Sequence, residues 1–254
     1  IVVVIYNTKF VDEEDIKDES VNLLWNEKYA GKILMFDNPR DAFGLALKKA
    51  GYSLNSLNEK DWSEAQKLLK EQKPLVQSYV MDDVFNKMEG GEAAIAAYYA
   101  GDCISMAENN PDLAFVYPKE GTNIFVDSIC IPKGCQNKEA AELYIDFMLR
   151  GDIALANAEY MCYATPNQAV LDNEEYSLRD NEMLYPDEEH TPPTEYFHNL
   201  DQDMLMVMTS LWDNLKIEGN NDRSVYIGLI TFAVIVVVYF IYRTIRKKKR
   251  ESMY

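Results

Sequence analysis

Apolar residues in this chain fall into short unbroken runs, separated by stretches with helical spacing. VVVIYN (2–7) and KILMFDN (32–38) are rich in the β-branched and apolar types that suit strands buried on both faces. EAAIAAYY (92–99), LAFVYP (113–118) and EGTNIFVDSICIP (120–132) repeat the pattern. Between the runs, DESVNLLWNEKYAG (18–31) predicts a short helix stopped by Gly31, and PRDAFGLALKKAG (39–51) a helix with Pro39 in its first turn and Gly51 as its stop. NEKDWSEAQKLLKEQ (58–72) predicts an amphipathic helix, and AGDCISMAENN (100–110) and NKEAAELYIDFMLR (137–150) predict two more. Strands and helices alternating through short loops predict an α/β fold, a sheet covered by helices.

One residue breaks the pattern. Asp127 interrupts the apolar run of 120–132, and strand alternation puts it on one face with Phe125, Ile129 and Ile131. A carboxylate there either faces a wet cleft or needs a cationic partner.

The end of the chain has a different character. Residues 224–242, SVYIGLITFAVIVVVYFIY, carry no charge and predict one transmembrane helix, since at about 1.5 Å per residue they cover a hydrocarbon core of about 30 Å. The basic run of 243–254 follows at once, so the positive-inside rule keeps it in the cytoplasm and residues 1–223 outside. That tail is net positive, and it leaves the remainder of a chain whose formal charge is −17 more acidic still. An acidic body repels nucleic acid and attracts cations. The chain opens on Ile1 inside an apolar run, with neither Met nor signal sequence, and is expected to continue something longer.

Little in the sequence points to catalysis or metal. No GxSxG, HExxH or phosphate-cradling glycine loop is present. The spacing of Cys103, Cys130, Cys135 and Cys162 matches no zinc pattern, and buried free thiols are expected although the outside location permits disulfides. His190, beside acids in PDEEHTPP, reads as part of a solvated loop.

In α/β sheets ligands bind beyond the carboxyl ends of the strands. Three such ends carry suggestive chemistry: the acids and Asn38 of FDNPRD, the tyrosines of AIAAYYAGD, and Phe125 with Asp127. Each has a plain structural alternative. Asp37 or Asn38 can cap the helix at Pro39, Tyr98 and Tyr99 can be core aromatics, and Asp127 can pair with a structural Lys or Arg. Together they suggest a cleft for a cation.

The order of these elements resembles a known family. LLWNEKYAGKILMFDNPRDAFGLALKKAGYS, MEGGEAAIAAYYAGD, VYPKEGTNIFVDSICIPKGCQNKEAAELYIDFML, YATPN and LYPD are similar to segments of the bacterial spermidine/putrescine-binding proteins of polyamine ABC transporters, over about residues 1–217. YPKEG, DSICIP and YATPN carry most of the likeness, and the tail has no part in it. The resemblance implies a type II periplasmic-binding-protein fold with the polyamine held between two lobes, the first largely missing here. It implies that 1–125 form the second lobe, 126–172 cross into the first, and 173–223 return and link to the membrane. Asp41 and Asp127 match amine-binding carboxylates. Tyr99 and Phe125 fall where the family often has tryptophans against the methylene chain, and Tyr163 falls on a cleft tyrosine. Asn38 departs from the pattern, standing where the family commonly has a second acid, which puts spermidine in doubt relative to putrescine. The implied partners are a polyamine and an ABC permease, with no cofactor. A membrane-tethered sensor, or a binding protein for another small organic cation, is the alternative.

Overall fold

The computed structural model describes residues 1–187, 191–217 and 239. Its elements, in order, are β1 (Val2–Asn7), α1 (Glu13–Ile16), β2 (Ile33–Phe36), α2 (Pro39–Lys49), α3 (Glu59–Gln72), β3 (Val76–Val80), α4 (Asp83–Glu89), β4 (Ile95–Tyr99), α5 (Ala100–Asn109), β5 (Leu113–Val116) and β6 (Thr122–Ile124). There follow α6 (Lys138–Leu149), α7 (Gly151–Met161), α8 (Gln168–Leu171), β7 (Thr194–Tyr196) and α9 (Gln202–Ile217). Every apolar run before Pro118 becomes a strand of one five-stranded sheet, ordered β3-β2-β4-β1-β5. β2 runs parallel to β3 and β4, and β1 is antiparallel to β4 and β5. Successive side chains of a strand point to opposite faces, so the complete burial of β1 and β2 means that both faces are covered. The pattern also hid several elements: α1, β3, α4, α7, α8, β7 and α9 were not legible in it.

The cap and stop of two helices are where the sequence puts them. Asn58 caps the start of α3, accepting from Lys60 N, and Gly51, just past the end of α2, takes the positive φ of 80° that suits glycine at a stop. α2 packs on α3 through Phe43 and Trp62, both fully buried, with ring centroids 5.5 Å apart.

Two predicted elements are corrected. The helix of 18–31 is instead a pair of 3-10 turns, Val21–Trp25 and Glu27–Tyr29. Asn26 between them is extended and accepts from Lys28 N, a local side-chain bond that competes with continuing the helix. The strand of 120–132 shrinks to β6, which pairs with β7 over three residues only. Beyond Ile124 the backbone joins no ladder, and Val126 and Ile129 are 67% and 56% exposed. Cys130 is therefore exposed and Cys135 partly so, against the expectation of buried thiols; Cys103 and Cys162 are buried, and all four are free.

The β6–β7 ribbon is fastened to α2. Thr122 N donates to Pro193 O at 2.9 Å, and Gly121, at φ 99°, lies so close that a Cβ would come within 2.7 Å of that oxygen. Glu195 accepts from Lys48 and Ser53, and Phe197 packs on Gly44 under the Arg40 guanidinium. Between the two strands of the ribbon, α6 buries no residue and α7 buries only Ala158, while Leu143, Tyr144, Leu149 and Tyr160 are exposed.

The chain divides into two units, Ile1–Leu211 and Trp212–Tyr254. The first holds the sheet, the ribbon and α6–α8. Of the second, only the end of α9 and Tyr239 are described. The predicted span of 224–242, apart from Tyr239, lies outside the described residues, as do the basic tail of 243–254 and His190. Among the described residues no helix is long and apolar enough to cross a membrane, and no three His, Cys, Asp or Glu side chains group as a metal site.

Candidate ligand-binding site

Two strand ends of the sheet lead directly into helices, and each helix carries a carboxylate in its first turn. β2 ends at Phe36, Asp37 N donates to Val80 O at 2.9 Å, and Asn38 then caps α2, its Oδ1 accepting from Arg40 N at 2.9 Å and Asp41 N at 3.4 Å. Pro39 at the first helical position suits this start. Asp41 follows, only 7% exposed. β4 passes into α5 with no intervening loop, and Asp102 sits in the corresponding first turn. The positive end of a helix favours a carboxylate at such a position.

Both acids are met by tyrosine hydroxyls. Tyr99 donates to Asp41 Oδ2 at 3.0 Å, and Tyr163 donates to Asp102 Oδ2 at 3.2 Å. Burial pushes the Asp41 carboxyl above its usual value, opposed by the Tyr99 hydrogen bond and Arg40. Burial also raises Asp102, opposed by Tyr163 and reinforced by Asp82. Burial beside these acids holds both phenols well above the normal tyrosine range, so each remains a donor.

Aromatic rings connect the two pairs. Phe125 meets Tyr99 edge-on with centroids 5.3 Å apart and lies 6.4 Å from the Tyr163 ring. Tyr99 also contacts Tyr98 at 4.9 Å and Phe36 at 5.2 Å. Tyr163 comes in from the far side of α7. Cys162 ends that helix at φ 56°, and the turn lays Tyr163 over α5 so closely that a Cβ on Gly101 would lie 2.4 Å from its ring. Only glycine at 101 permits this approach.

Asp41, Tyr99, Phe125 and Tyr163 are thus brought together as the sequence suggested. Asp127 stands beside them, exposed and outside any ladder, without a hydrogen bond or ion pair among the described residues. Asn38 has the plainer of its two expected roles, since its oxygen is committed to the start of α2. Asp102 was missed as a site residue. Its signal was present: like Asp41, it is the third residue of a helix that starts at the end of a buried strand. Two carboxylates joined by ring faces can hold ammonium groups at separate points, with an apolar thread between them.

Comparison with known proteins bears on this geometry. The family model described as bacterial extracellular solute-binding protein matches residues 1–204. The spermidine/putrescine-binding periplasmic protein of Escherichia coli (strain K12) is 34% identical over 166 residues, covering 65% of this chain and 48% of that protein. The putrescine/cadaverine-binding protein of Pseudomonas aeruginosa is 26% identical over 223 residues, covering 84% and 63%. Among solved structures, the spermidine/putrescine ABC transporter substrate-binding protein PotD of Streptococcus pneumoniae, in complex with calcium and HEPES, superposes with a TM-score of 0.72 at 32% identity, covering 85% of this chain and 66% of that one. The chain spans about half the length of the E. coli relative. The α/β fold is that of the periplasmic-binding-protein-like neighbours, and the chain belongs to the bacterial extracellular solute-binding protein family.

Proposed function

We propose that this chain is part of an extracytoplasmic protein that binds a polyamine, putrescine or spermidine, in a cleft between two lobes and delivers it to an ABC permease. The observation that carries this reading is the pair of carboxylates, Asp41 buried and Asp102 half-buried, joined by the rings of Tyr99, Phe125 and Tyr163. An ammonium leaving water needs a counter-charge, and a methylene chain gains from a ring face. The names of the relatives support the same ligand class. With no catalytic motif in the sequence, transport rather than catalysis is the role.

In this reading residues 1–125 form one lobe, 126–172 belong to the other, and 173–223 return to the first and link onward. Residues 224–242 anchor the protein and 243–254 lie in the cytoplasm. The exposed apolar side chains of α6 and α7 support a second lobe as their cover. Asp127 and Asn38 line the cleft beside Asp41 and Asp102.

Calorimetric titration of the full-length protein with putrescine, cadaverine, spermidine and spermine tests the proposal. Binding at micromolar affinity or tighter is expected for at least one of them, and absence of binding to all four sinks it.

A further inference from the structure

The face that α2 turns to the β6–β7 ribbon is set by its spacing. Asp41, Gly44, Leu45 and Lys48 stand at i, i+3, i+4 and i+7, one side of a helix. The ribbon answers with alternate residues of its own. Asn123 is the register partner of Glu195, so the two side chains share a face, and Glu195 shows which one, since its carboxylate accepts from Lys48. Phe197, two residues on, packs on Gly44 from the same side. Asn123 therefore faces α2.

That contact is not closed. Between helix and ribbon lies a cavity of about 10 Å³, with Asp41, Lys48, Thr122 and Asn123 as its polar lining. Asn123 is 5% exposed, yet its side chain makes no hydrogen bond to a described residue. Thr122 is already spent as a donor, on Val2 O at 2.8 Å. Asp41 accepts from Tyr99 at Oδ2, and its other oxygen accepts from no described residue. Lys48 meets Glu195 with one of its three N–H donors. A buried amide without a partner is costly, and a polar cavity with room for one water centre and several polar partners is where buried water sits.

Resting on the polyamine reading above, we propose that this cavity is the site of one buried water held by Asn123, Lys48 and Asp41, and that Asn123 is a positioning residue that fixes the Asp41 carboxylate through it. The water accepts from Lys48 and from the Asn123 amide and donates to the Asp41 oxygen that Tyr99 leaves free. Asn123 itself stays behind the acid, away from the ligand. With Tyr99 on one oxygen and the water on the other, the carboxylate is held in one orientation before an amine arrives, so less ordering is left to be done on binding.

The test uses the full-length protein with Asn123→Leu and Asn123→Ala. Leucine is close to asparagine in shape, leaves no room for a further water and offers no hydrogen bond, whereas alanine leaves room for a second water where the amide was. High-resolution crystals of the parent should show a water within hydrogen-bond distance of Asp41, Asn123 and Lys48, with and without putrescine. Calorimetry with putrescine should give about a fivefold loss for Asn123→Leu, the scale of one hydrogen bond, and a smaller loss for Asn123→Ala, while the ligand-free leucine variant melts no lower than the parent. A packing role predicts the reverse order, since alanine opens a cavity that leucine fills. A parent cavity without water, an Asn123→Leu protein that binds as tightly as the parent, or a greater loss for alanine than for leucine each overturns the inference and leaves the polyamine reading in place. A parent that binds no amine ends the polyamine reading and the positioning role together, and the crystals then decide the water by itself.

Discussion

The sheet of residues 1–118 and the segment of 126–172 use similar apolar residues to opposite effect. In the sheet, β1 and β2 are buried along their whole length, and Phe43 and Trp62 are 0% exposed. In the segment, α6 buries nothing, and Leu143 and Leu149 are 65% and 63% exposed. Composition alone does not separate the two. What separates them is whether this chain also supplies the facing surface. The sheet region supplies its own cover in α2 and α3, whereas α6 presents an apolar face that the described residues leave open. The candidate site sits on this seam, with Asp41, Tyr99, Asp102 and Phe125 from residues 1–125 and Tyr163 from the other side.

The largest expected effect compares two phenylalanines. Phe43→Ala should cost about 3–5 kcal/mol wherever it is measured, because it opens a cavity beside Trp62. Phe147→Ala should cost less than about 0.5 kcal/mol in the chain described here, since the side chain is 43% exposed. In the full-length protein the same change should cost roughly 2–4 kcal/mol if a second lobe covers α6. Urea unfolding of both proteins gives all four values. A small cost in both settings would mean that α6 faces solvent and would break the contrast.

Next is the charge on the sheet side of the seam. Asp41→Asn should weaken putrescine binding by roughly 2–5 kcal/mol, because it leaves a desolvated ammonium without its counter-charge. In the ligand-free protein it should stabilise, and the sign follows from linkage. The folded Asp41 carboxyl lies above the ordinary value of 3.8, so its contribution is fully present below that value and is lost as pH rises through the folded pKa. Asp102 behaves alike. Thermal melts without ligand should therefore show Asp41→Asn more stable than the parent at pH 7, with the gain gone below about pH 4. A gain that persists in acid would have a cause other than the charge.

A smaller effect tests how the loose segment reaches the site. Gly101→Ala should cost about 1–3 kcal/mol of overpacking, because its Cβ would collide with the Tyr163 ring and with Cys162 O. The collision pushes Tyr163 from Asp102, so putrescine affinity should fall further in this variant than in Tyr163→Phe. Equal losses would mean that the ring yields without leaving the site.

What the sequence made legible follows the same seam. β1, β2, β4 and β5 were readable because an apolar run covered on both faces has little else to be, and α2 and α3 because Asn38, Asn58 and Pro39 mark their starts. EGTNIFVDSICIP misled because its apolar residues satisfy the strand pattern while the chain has only Thr194–Tyr196 to pair with it. Asp41, Tyr99 and Phe125 came from the resemblance as much as from strand ends, and Tyr163 from the resemblance alone. Asp102 shares Asp41's place in a first helical turn, but its tyrosine partner was not legible, because Tyr163 lies 61 residues away and no local pattern encodes that bond.

The smallest effect concerns Asn38, where two roles meet on one side chain. As the cap of α2 it accepts two backbone N–H bonds, so Asn38→Ala should cost about 1 kcal/mol of stability. Asn38→Asp keeps an acceptor in the same place beside the positive end of α2, and should be neutral within a few tenths of a kcal/mol. The two variants therefore separate capping from ligand choice. One oxygen of an aspartate at 38 would remain on the backbone, leaving the other for a ligand, with Arg40 close by to damp its charge. The shift toward spermidine should then be modest, about 1 kcal/mol relative to putrescine, at the low end for a hydrogen bond to a charged group. Paired titrations with the two amines, before and after the change, measure it. An Asn38→Asp protein with unaltered preference would confine position 38 to its cap, and the third ammonium of spermidine would then have to find its acceptor on the other side of the seam.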